Sequence, residues 1–417
     1  MVNSLLKLFN SMTRRLEDFH PREDAIVKMY TCGPSIYQLP HIGNYRTFLF
    51  EDVLLRYLEY SGCNVKRTLF ITDVEDKAIA EAEKEKTTLK VLTERNTKTF
   101  LQEFENLRAK KPTYISRSST SINDAVQVIE TLLEKGYAYK YAGSVYFDPL
   151  KIRDFGKLYR MDMTKWPKER RRFHKDTYPD NRWNRGDFIL WHAYRPTDKG
   201  AFWNTSLGKG RPSWNIQDST MVMKTFGPNA DIWCGGIDNM IRHHDYNIAI
   251  IKALTGQEPA QFWLHGEHLL VDGKKMSKSR GNIIYPKDLI ERGCVWPHIR
   301  FFLINGHYRK KLNFTFDKFK KACNRLHEFK DTVTRLEKFG RSVDVSNPSA
   351  NQLIGRLGED FENNMNNDLQ VRFAFDAAFE TTSRLTALAR KGKVSREDAD
   401  MAIKTLKGID KVLRVIF

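Results

Sequence analysis

The first third of the chain alternates between short apolar segments that favour strands and a longer segment that favours a helix. Residues 25–31 form an apolar run that ends in a Gly/Pro turn, and an apolar-rich stretch follows at residues 48–60. Residues 65–71 form a second apolar run. A strand, a helix and a second strand in this order are typical of a parallel, doubly wound sheet, in which ligands bind at the carboxyl ends of the strands. We therefore predict a Rossmann-type α/β core with its site at those strand ends.

The pattern changes in the middle of the chain and again towards its end. Residues 122–135 favour an amphipathic helix, residues 139–147 a hairpin, and the basic segment KERRRFHK follows in a Gly/Pro-punctuated stretch. Beyond Pro297 the sequence predicts helices only, with an apolar stripe from Phe319 to Leu336. The predicted units are the two halves of the parallel-sheet core at residues 1–111 and 212–296, an insertion at 112–211, stem helices at 297–340, and an all-α helical bundle at 341–417 with a linker near 340–350.

The composition restricts the partners and the compartment. The chain has 69 Lys+Arg and 51 Asp+Glu, which gives a formal net charge of +18. This excess suits a nucleic acid, and it is equally consistent with a basic surface that serves solubility. Five widely spaced cysteines with no CxxC pair argue against a disulfide framework and favour a reducing cytoplasm. No segment approaches the about 20 apolar residues of a membrane span, so we expect a soluble protein with no membrane partner.

Two motifs far apart in the sequence predict a nucleotide site. HIGN at residues 41–44 opens the first predicted helix, and KMSKS at residues 275–279 lies in a glycine-flanked loop after a predicted strand. A helix N-terminus presents free N–H groups and a positive dipole to phosphate, and Gly43 lets the backbone approach closely. The lysines of the second motif would then close over a triphosphate. ATP and Mg²⁺ are the expected cofactors.

The chemistry that such a pair supports is adenylate formation. A carboxylate attacks the α-phosphorus and pyrophosphate leaves, so catalysis consists mainly of positioning and of neutralising charge on the leaving group. Lys278 is the first candidate for this neutralisation, Lys275 would assist, and His41 would steady the transferring phosphorus. Gly235, Gly236 and Asp238 follow a predicted strand and suit adenine and ribose, although structural glycines in a turn are the alternative. The other candidates are Asn44 for catalysis and Gly43, Met276, Ser277 and Ser279 for ATP binding.

Further segments resemble the cysteinyl-tRNA synthetase family, in the same order and at similar spacing. They are LKLFNSMTRRLEDFHP, MYTCGPSIYQLPHIGNYRTF, ITDVEDKAI, GHYRKKLNF and, in the bundle, MNNDLQVRFAFDA. The resemblance covers nearly the whole chain, and Asn44 is a variant of the first motif that the family commonly shows. It implies activation of an amino acid, foremost cysteine, and its transfer to tRNA. Separately, we expect a monomer. The candidate amino-acid-binding residues are Gly33, Thr72 and Trp214.

The sequence departs from this family where the resemblance implies a zinc site. Two cysteines, a histidine and a glutamate hold zinc in the family, and the zinc binds the substrate thiolate. Cys32 and His243 match, whereas Asp218 and Asn247 occupy the other two positions. Two interpretations stay open: either Cys32, Asp218 and His243 hold zinc with one open position, or zinc is lost and Asp218 faces a different substrate. Asn247 is a poor zinc ligand, and Cys234 is expected to be a core residue.

The resemblance also bears on the acceptor. The bundle of the family is generally followed by a small anticodon-reading domain, and the last helix predicted here is at residues 400–417, so anticodon recognition is not expected. Contacts to tRNA phosphates are expected on the basic face around Lys318 to Lys338, which as the alternative is simply the solvated side of a helix. Two other functions remain open: a tRNA-independent amino-acid ligase acting on a small amine, and a non-catalytic RNA-binding paralogue. Intact His41, Lys275 and Lys278 argue against the second.

Overall fold

The structure is a computed structural model that describes residues 6–164, 186–339 and 347–417. The basic segment KERRRFHK and most of the predicted linker lie outside these ranges. The strands are β1 Lys7–Asn10, β2 Arg15–Asp18, β3 Ile26–Ser35, β4 Asn64–Thr72, β5 Tyr114–Arg117, β6 Ala138–Tyr141, β7 Ser144–Phe147, β8 Phe188–Ala193, β9 Trp203–Thr205, β10 Gly208–Pro212, β11 Ala230–Gly236, β12 Ala260–Gly266, β13 Leu269–Val271, β14 Lys274–Lys275 and β15 Leu312–Phe314.

The helices alternate with the strands in the first three quarters of the chain and follow one another at its end. They are α1 Ile42–Tyr60, α2 Asp76–Lys84, α3 Leu89–Asn106, α4 Ile122–Glu134, α5 Trp214–Phe226, α6 Asp245–Thr255, α7 Pro286–Ile290, α8 Trp296–Ile304, α9 Phe316–Phe339, α10 Pro348–Asn366, α11 Val371–Arg390 and α12 Arg396–Leu413. Within the described ranges, none of these helices has the length and apolar content to cross a membrane.

The central sheet confirms the predicted parallel α/β core. Its five strands lie in the order β12-β11-β3-β4-β5, and every neighbouring pair is parallel. The chain moves outward from β3 to β4 and β5, and it returns on the other side of β3 with β11 and β12. Such a reversal leaves a crevice between the first strands of the two halves, where ligands of doubly wound sheets bind. Cys234 in β11 is fully buried in the core, as predicted.

A second sheet lies between the two halves of the core in the sequence. Its strands have the order β6-β7-β8-β10-β9, and all neighbouring pairs are antiparallel. The hairpin expected at residues 139–147 is confirmed as β6 and β7, which pair from Ala138 with Phe147 to Tyr141 with Ser144. The amphipathic helix expected at residues 122–135 is α4, whose apolar face packs against this sheet in a core of its own.

The prediction of helices only beyond Pro297 is wrong at one point. Residues Leu312–Phe314 form β15, which pairs in parallel with β13 and completes a three-stranded sheet in the order β14-β13-β15. Three residues are too few to show a strand period, so only pairing with β13 reveals this strand. The rest of the segment is helical, and the apolar stripe of α9 is buried at Phe319, Leu326, Phe329, Val333 and Leu336.

Buried charged side chains tie α1 to the helical part of the molecule. Asp52 Oδ2 accepts hydrogen bonds from Arg300 Nη2 at 2.7 Å and from Arg56 Nε at 2.9 Å, and Asp52 and Arg300 are fully buried. Burial alone would raise the pKa of Asp52, but Arg300 and Arg56 hold this pKa below its ordinary value. Arg46 donates to the backbone carbonyls of His307 and Lys310 beyond α8. The helix that opens at the first motif is therefore anchored at several points.

Candidate active site

A cavity of about 420 Å³ lies at the carboxyl ends of β3 and β11, where the strand order reverses. Most of the predicted site residues line it: Cys32, Gly33, His41, Asn44, Thr72, Trp214, Asp218, Gly236, Asp238, His243, Met276, Ser277 and Lys278. Within the described part of the chain, five predicted residues are absent from the lining: Gly43, Gly235, Asn247, Lys275 and Ser279. Tyr37 and Asn239 line the cavity although no motif pointed to them.

The first motif builds the N-terminus of α1 around the His41 side chain. His41 Nδ1 accepts hydrogen bonds from the N–H groups of Gly43 at 3.1 Å and Asn44 at 3.2 Å. Asn44 Oδ1 in turn accepts from the N–H of His41 at 3.0 Å, which closes a reciprocal cap. Burial lowers the pKa of His41 below its ordinary value. The ring is therefore neutral at pH 7, with its N–H on Nε2.

The second motif folds on itself and touches the first. The Ser277 N–H donates to Asn282 Oδ1 at 2.9 Å, and Arg280 Nη1 donates to the carbonyl of Lys275 at 3.1 Å. Met276 is buried, and a Cβ atom placed on Gly43 would lie 2.5 Å from its Cε atom. A Cβ atom at position 43 would displace the flexible end of the Met276 side chain and would lie 3.0 Å from His41 Cε1, so glycine leaves both side chains undisturbed where the two motifs meet. The contact places Ser277 and Lys278 on the wall of the cavity.

The end of β11 separates the two glycines that were assigned to ATP. Gly236 lines the cavity, next to a 3₁₀ turn at Ile237–Asn239 that carries Asp238. Gly235 instead faces His244: a Cβ atom at this position would lie 2.7 Å from His244 Cε1. The absence of a side chain at Gly235 therefore makes room for an imidazole ring beneath the cavity.

The base of the cavity holds the residues that were expected to contact an amino acid or a metal. Cys32 Sγ lies 3.3 Å from Asp218 Oδ2, and Asp218 Oδ2 lies 2.7 Å from His243 Nε2. The indole of Trp214 stacks on His243 with ring centroids 3.8 Å apart. Burial, followed by the neighbouring Asp218, raises the pKa of the Cys32 thiol well above its ordinary value. Among the described residues, His243 Nδ1 is buried without a hydrogen-bond partner.

Asn247 is turned away from this group. Its Oδ1 atom accepts a hydrogen bond from Ser219 Oγ at 2.6 Å, across the interface between α6 and α5. Asn247 is fully buried, and its amide nitrogen has no hydrogen-bond partner within the described ranges. The Asn247 side chain therefore lies at the packing interface of the two helices and is not part of the cavity lining.

The sequence reasoning missed His244, which reaches the pocket from beneath. His244 Nε2 lies 3.2 Å from Cys32 Sγ, and its Nδ1 lies 2.8 Å from His265 Nε2. His265 Nδ1 is 2.8 Å from Ser11 Oγ, and burial lowers the pKa of His265 to about 3. The doublet His243-His244 was the available signal. Met240–His244 form a π-helical turn directly before α6.

Three of these side chains have the arrangement of a metal-binding group. Cys32, His243 and His244 are buried, and each offers one ligand atom such that the three atoms lie within 4.8 Å of one another. A thiolate and two imidazoles are donors that zinc prefers. The partnerless nitrogen of His243 supports the same conclusion, because a buried polar atom without a partner is costly unless something binds it. The donor set therefore fits a zinc ion.

Known proteins resemble the chain along nearly its whole length. The family model of the class I (C) tRNA synthetase catalytic domain matches residues 18–324. A cysteine–tRNA ligase of Chlamydia pneumoniae is 37% identical over 99% of this chain and 86% of its own, and one of Brachyspira hyodysenteriae is 35% identical over 98% and 85%. A crystal structure of Mycobacterium tuberculosis methionyl-tRNA synthetase bound by methionyl-adenylate is similar in fold, with a TM-score of 0.65, 15% identity, and coverage of 94% and 90%.

Proposed function

The chain belongs to the cysteine family of class I tRNA synthetases, and from this membership we propose that it joins cysteine to tRNA at the expense of ATP. The observation that carries the proposal is that His41, Lys278 and Cys32 line the same cavity. Two phosphate-binding motifs and a sulfur-bearing pocket open into the same space. An enzyme that forms an adenylate of a thiol-containing amino acid needs this combination.

The activation step needs little covalent chemistry from the protein. A carboxylate oxygen of cysteine attacks the α-phosphorus of ATP, the bond from that phosphorus to the bridging oxygen breaks, and pyrophosphate leaves. We assign to His41 a hydrogen bond from Nε2–H to a phosphoryl oxygen, because its Nδ1 atom is occupied by the helix cap. Lys278 would neutralise the leaving pyrophosphate, and Mg²⁺ would shield the phosphate charges when it is bound.

The base of the cavity is proposed to recognise the cysteine side chain. Zinc bound there would supply a Lewis acid that stabilises the substrate thiolate. Cys32 and His243 are proposed to contribute to its site, and the stacked Trp214 fixes the plane of the His243 ring. Gly33 and Thr72 line the same cavity and are proposed to contact the backbone groups of the amino acid.

The acceptor is tRNA, and phosphate contacts are proposed to hold it. The exposed Lys318, Lys320 and Lys321 on α9, together with the net charge of +18, support an electrostatic surface for a polyanion. Five unpaired cysteines support a reducing compartment, for which we propose the cytoplasm. The enzyme is proposed to be a monomer, which light scattering on the purified protein tests.

Amino-acid-dependent exchange of pyrophosphate into ATP tests the activation step. Each of the common amino acids is offered separately, and tRNA charging with labelled cysteine is then measured on the same preparation. Exchange with cysteine and charging of tRNA are the expected results. Exchange with another amino acid would contradict the proposed specificity. The tRNA used is one that a known cysteine–tRNA ligase charges. Exchange with cysteine but no charging of this tRNA would contradict the proposal that tRNA is the acceptor.

A further inference from the structure

We propose that His244 is a zinc ligand of this protein, together with Cys32 and His243, and that Asp218 and His265 are positioning residues for the two histidines. This inference rests on the proposed function, because a zinc-dependent cysteine pocket is part of that proposal. It differs from the ligand set that the sequence suggested, in which Asp218 was a candidate and His244 had no role.

His244 belongs to the group of donor atoms, whereas Asp218 Oδ2, although 3.3 Å from Cys32 Sγ, is engaged by His243 Nε2 at 2.7 Å. The group of ligand atoms within 4.8 Å of one another consists of Cys32, His243 and His244, and Asp218 is not part of it. The imidazole of His244 lies 3.2 Å from the Cys32 sulfur, a separation that suits two atoms sharing one ion with bonds of about 2.0–2.3 Å. Asn247 is held by Ser219 instead.

The surroundings of His244 fix the nitrogen that faces the thiol. Nδ1–H of His244 can donate to His265 Nε2, and Nδ1–H of His265 can then donate to Ser11 Oγ, both at 2.8 Å. In this tautomer the lone pair of His244 Nε2 points towards Cys32. Metal-binding histidines regularly donate their second N–H in this way, which orients the ring and raises its basicity. His265 therefore acts on the metal through His244.

Asp218 plays the corresponding part for His243. Its Oδ2 atom lies 2.7 Å from His243 Nε2 and can accept a hydrogen bond from Nε2–H, and in that tautomer Nδ1 is the nitrogen with a free lone pair. That nitrogen is one of the buried side-chain atoms without a hydrogen-bond partner among the described residues. A carboxylate that is hydrogen-bonded to a metal-binding histidine is a recurrent arrangement in zinc sites. The replacement of a thiolate by Asp218 thus changes a ligand into a supporting group.

The backbone explains how two successive residues can serve one ion. Successive residues of an α-helix point about 100° apart, so His243 and His244 would diverge on a regular helix. The π-helical turn at Met240–His244 changes this spacing, and the two ring centroids lie 5.3 Å apart. Gly235 leaves the space that the His244 ring occupies. Turns of this kind occur frequently at functional sites.

Direct metal binding by purified full-length variants tests the proposal. Zinc affinity is measured by competition with a chromophoric chelator for the wild type, His244→Gln, Asp218→Asn, His265→Gln and the matched control Asn247→Ala. His244→Gln should lose more affinity than the about 10- to 100-fold that the loss of a supporting residue costs, and Asp218→Asn and His265→Gln should fall in that range. Asn247→Ala should bind zinc as tightly as the wild type.

Cobalt(II) substitution supplies a readout that a merely structural role would not change. The wild type should give a sulfur-to-cobalt charge-transfer band together with the intense visible bands of a four-coordinate site. Asp218→Asn should keep this spectrum at higher cobalt concentration, whereas His244→Gln should change it, with near-wild-type circular dichroism. A wild type that binds neither ion, or a His244→Gln variant that binds both normally, would overturn the proposal.

Pyrophosphate exchange on the same samples distinguishes failure of this proposal from failure of the proposed function. If the protein supports cysteine-dependent exchange without binding zinc, the zinc ligands proposed here are wrong and the proposed activity still stands.

Discussion

A single substitution can test whether Lys278 neutralises the charge on the leaving pyrophosphate. We expect Lys278→Ala to lower the rate of pyrophosphate exchange by about 100-fold or more, because the loss of one transition-state donor typically costs this much. Lys274→Ala is the matched control, since Lys274 is also exposed and lies four residues earlier. Its rate should stay near that of the wild type. Equal rates for the two variants would remove Lys278 from the mechanism.

The protonation state of His41 sets a pH limit on activation. Burial lowers the pKa of His41 below 6.5, so the neutral ring is present at pH 7 and is lost as the pH falls through the folded value. The acidic limb of pyrophosphate exchange should therefore lie below pH 6.5. His41→Asn should keep the helix cap, because asparagine is a strong N-cap, but lose about 100-fold in rate. An acidic limb above pH 6.5 would contradict the assignment.

At the residue scale, the motifs predicted which residues line the cavity better than they predicted the contacts at its base. HIGN and KMSKS indicated His41, Ser277 and Lys278, and all three line the cavity. His244 was missed because an ideal helix does not let two successive residues reach one point, and the π-helical turn leaves no sequence signal besides the doublet. The orientation of Asn247 towards Ser219 depends on how α5 packs on α6. No spacing rule contains that information.

At the element scale, the attachment of α1 to α8 depends on the buried pair of Asp52 and Arg300. Arg300→Met should reduce the free energy of unfolding by about 3–5 kcal/mol, because it leaves a buried carboxylate with less compensation. Arg372→Met, at an exposed arginine on α11, should change it by less than about 0.5 kcal/mol. Urea denaturation at pH 7 measures both. The pKa of Asp52 is held below its ordinary value, so the contribution of the pair is present at pH 7 and is lost only as the pH falls through that lowered value. An Arg300→Met variant as stable as the wild type would contradict the anchoring role of Arg300.

The elements themselves divide into those with a local signal and those without one. The strands β3, β4 and β11, the hairpin of β6 and β7 and the helix α4 were predicted because each carries its own period or turn, whereas β5 and β12 of the same central sheet were not predicted. The three residues of β15 do not, and their pairing with β13 arises from the tertiary fold. Likewise, the sequence predicted the last helix at residues 400–417, but α12 spans Arg396–Leu413, and the N–H groups of the buried Val415 and Ile416 donate to Asp410 Oδ1 instead of continuing the helix.

At the scale of the whole molecule, the positive charge makes tRNA binding depend on salt. Replacing Lys318, Lys320 and Lys321 together by alanine should raise the KM for tRNA and flatten the slope of log K against log salt. The slope should fall by about 0.7–0.9 for each phosphate contact that is lost. Pyrophosphate exchange should not change, because α9 is not part of the cavity. An unchanged slope would show that tRNA lies elsewhere.

The π-helical turn at Met240–His244 has a consequence for local opening of the folded protein. It departs from the regular backbone hydrogen bonding of the α-helix that follows it, so it is a natural starting point for local opening. Amide hydrogens of this turn should exchange with deuterium earlier than those in α6. Anything that binds both histidines would hold the turn closed and slow that exchange. The same backbone irregularity that brings the two rings together thus makes the turn a reporter of whether the pocket is filled.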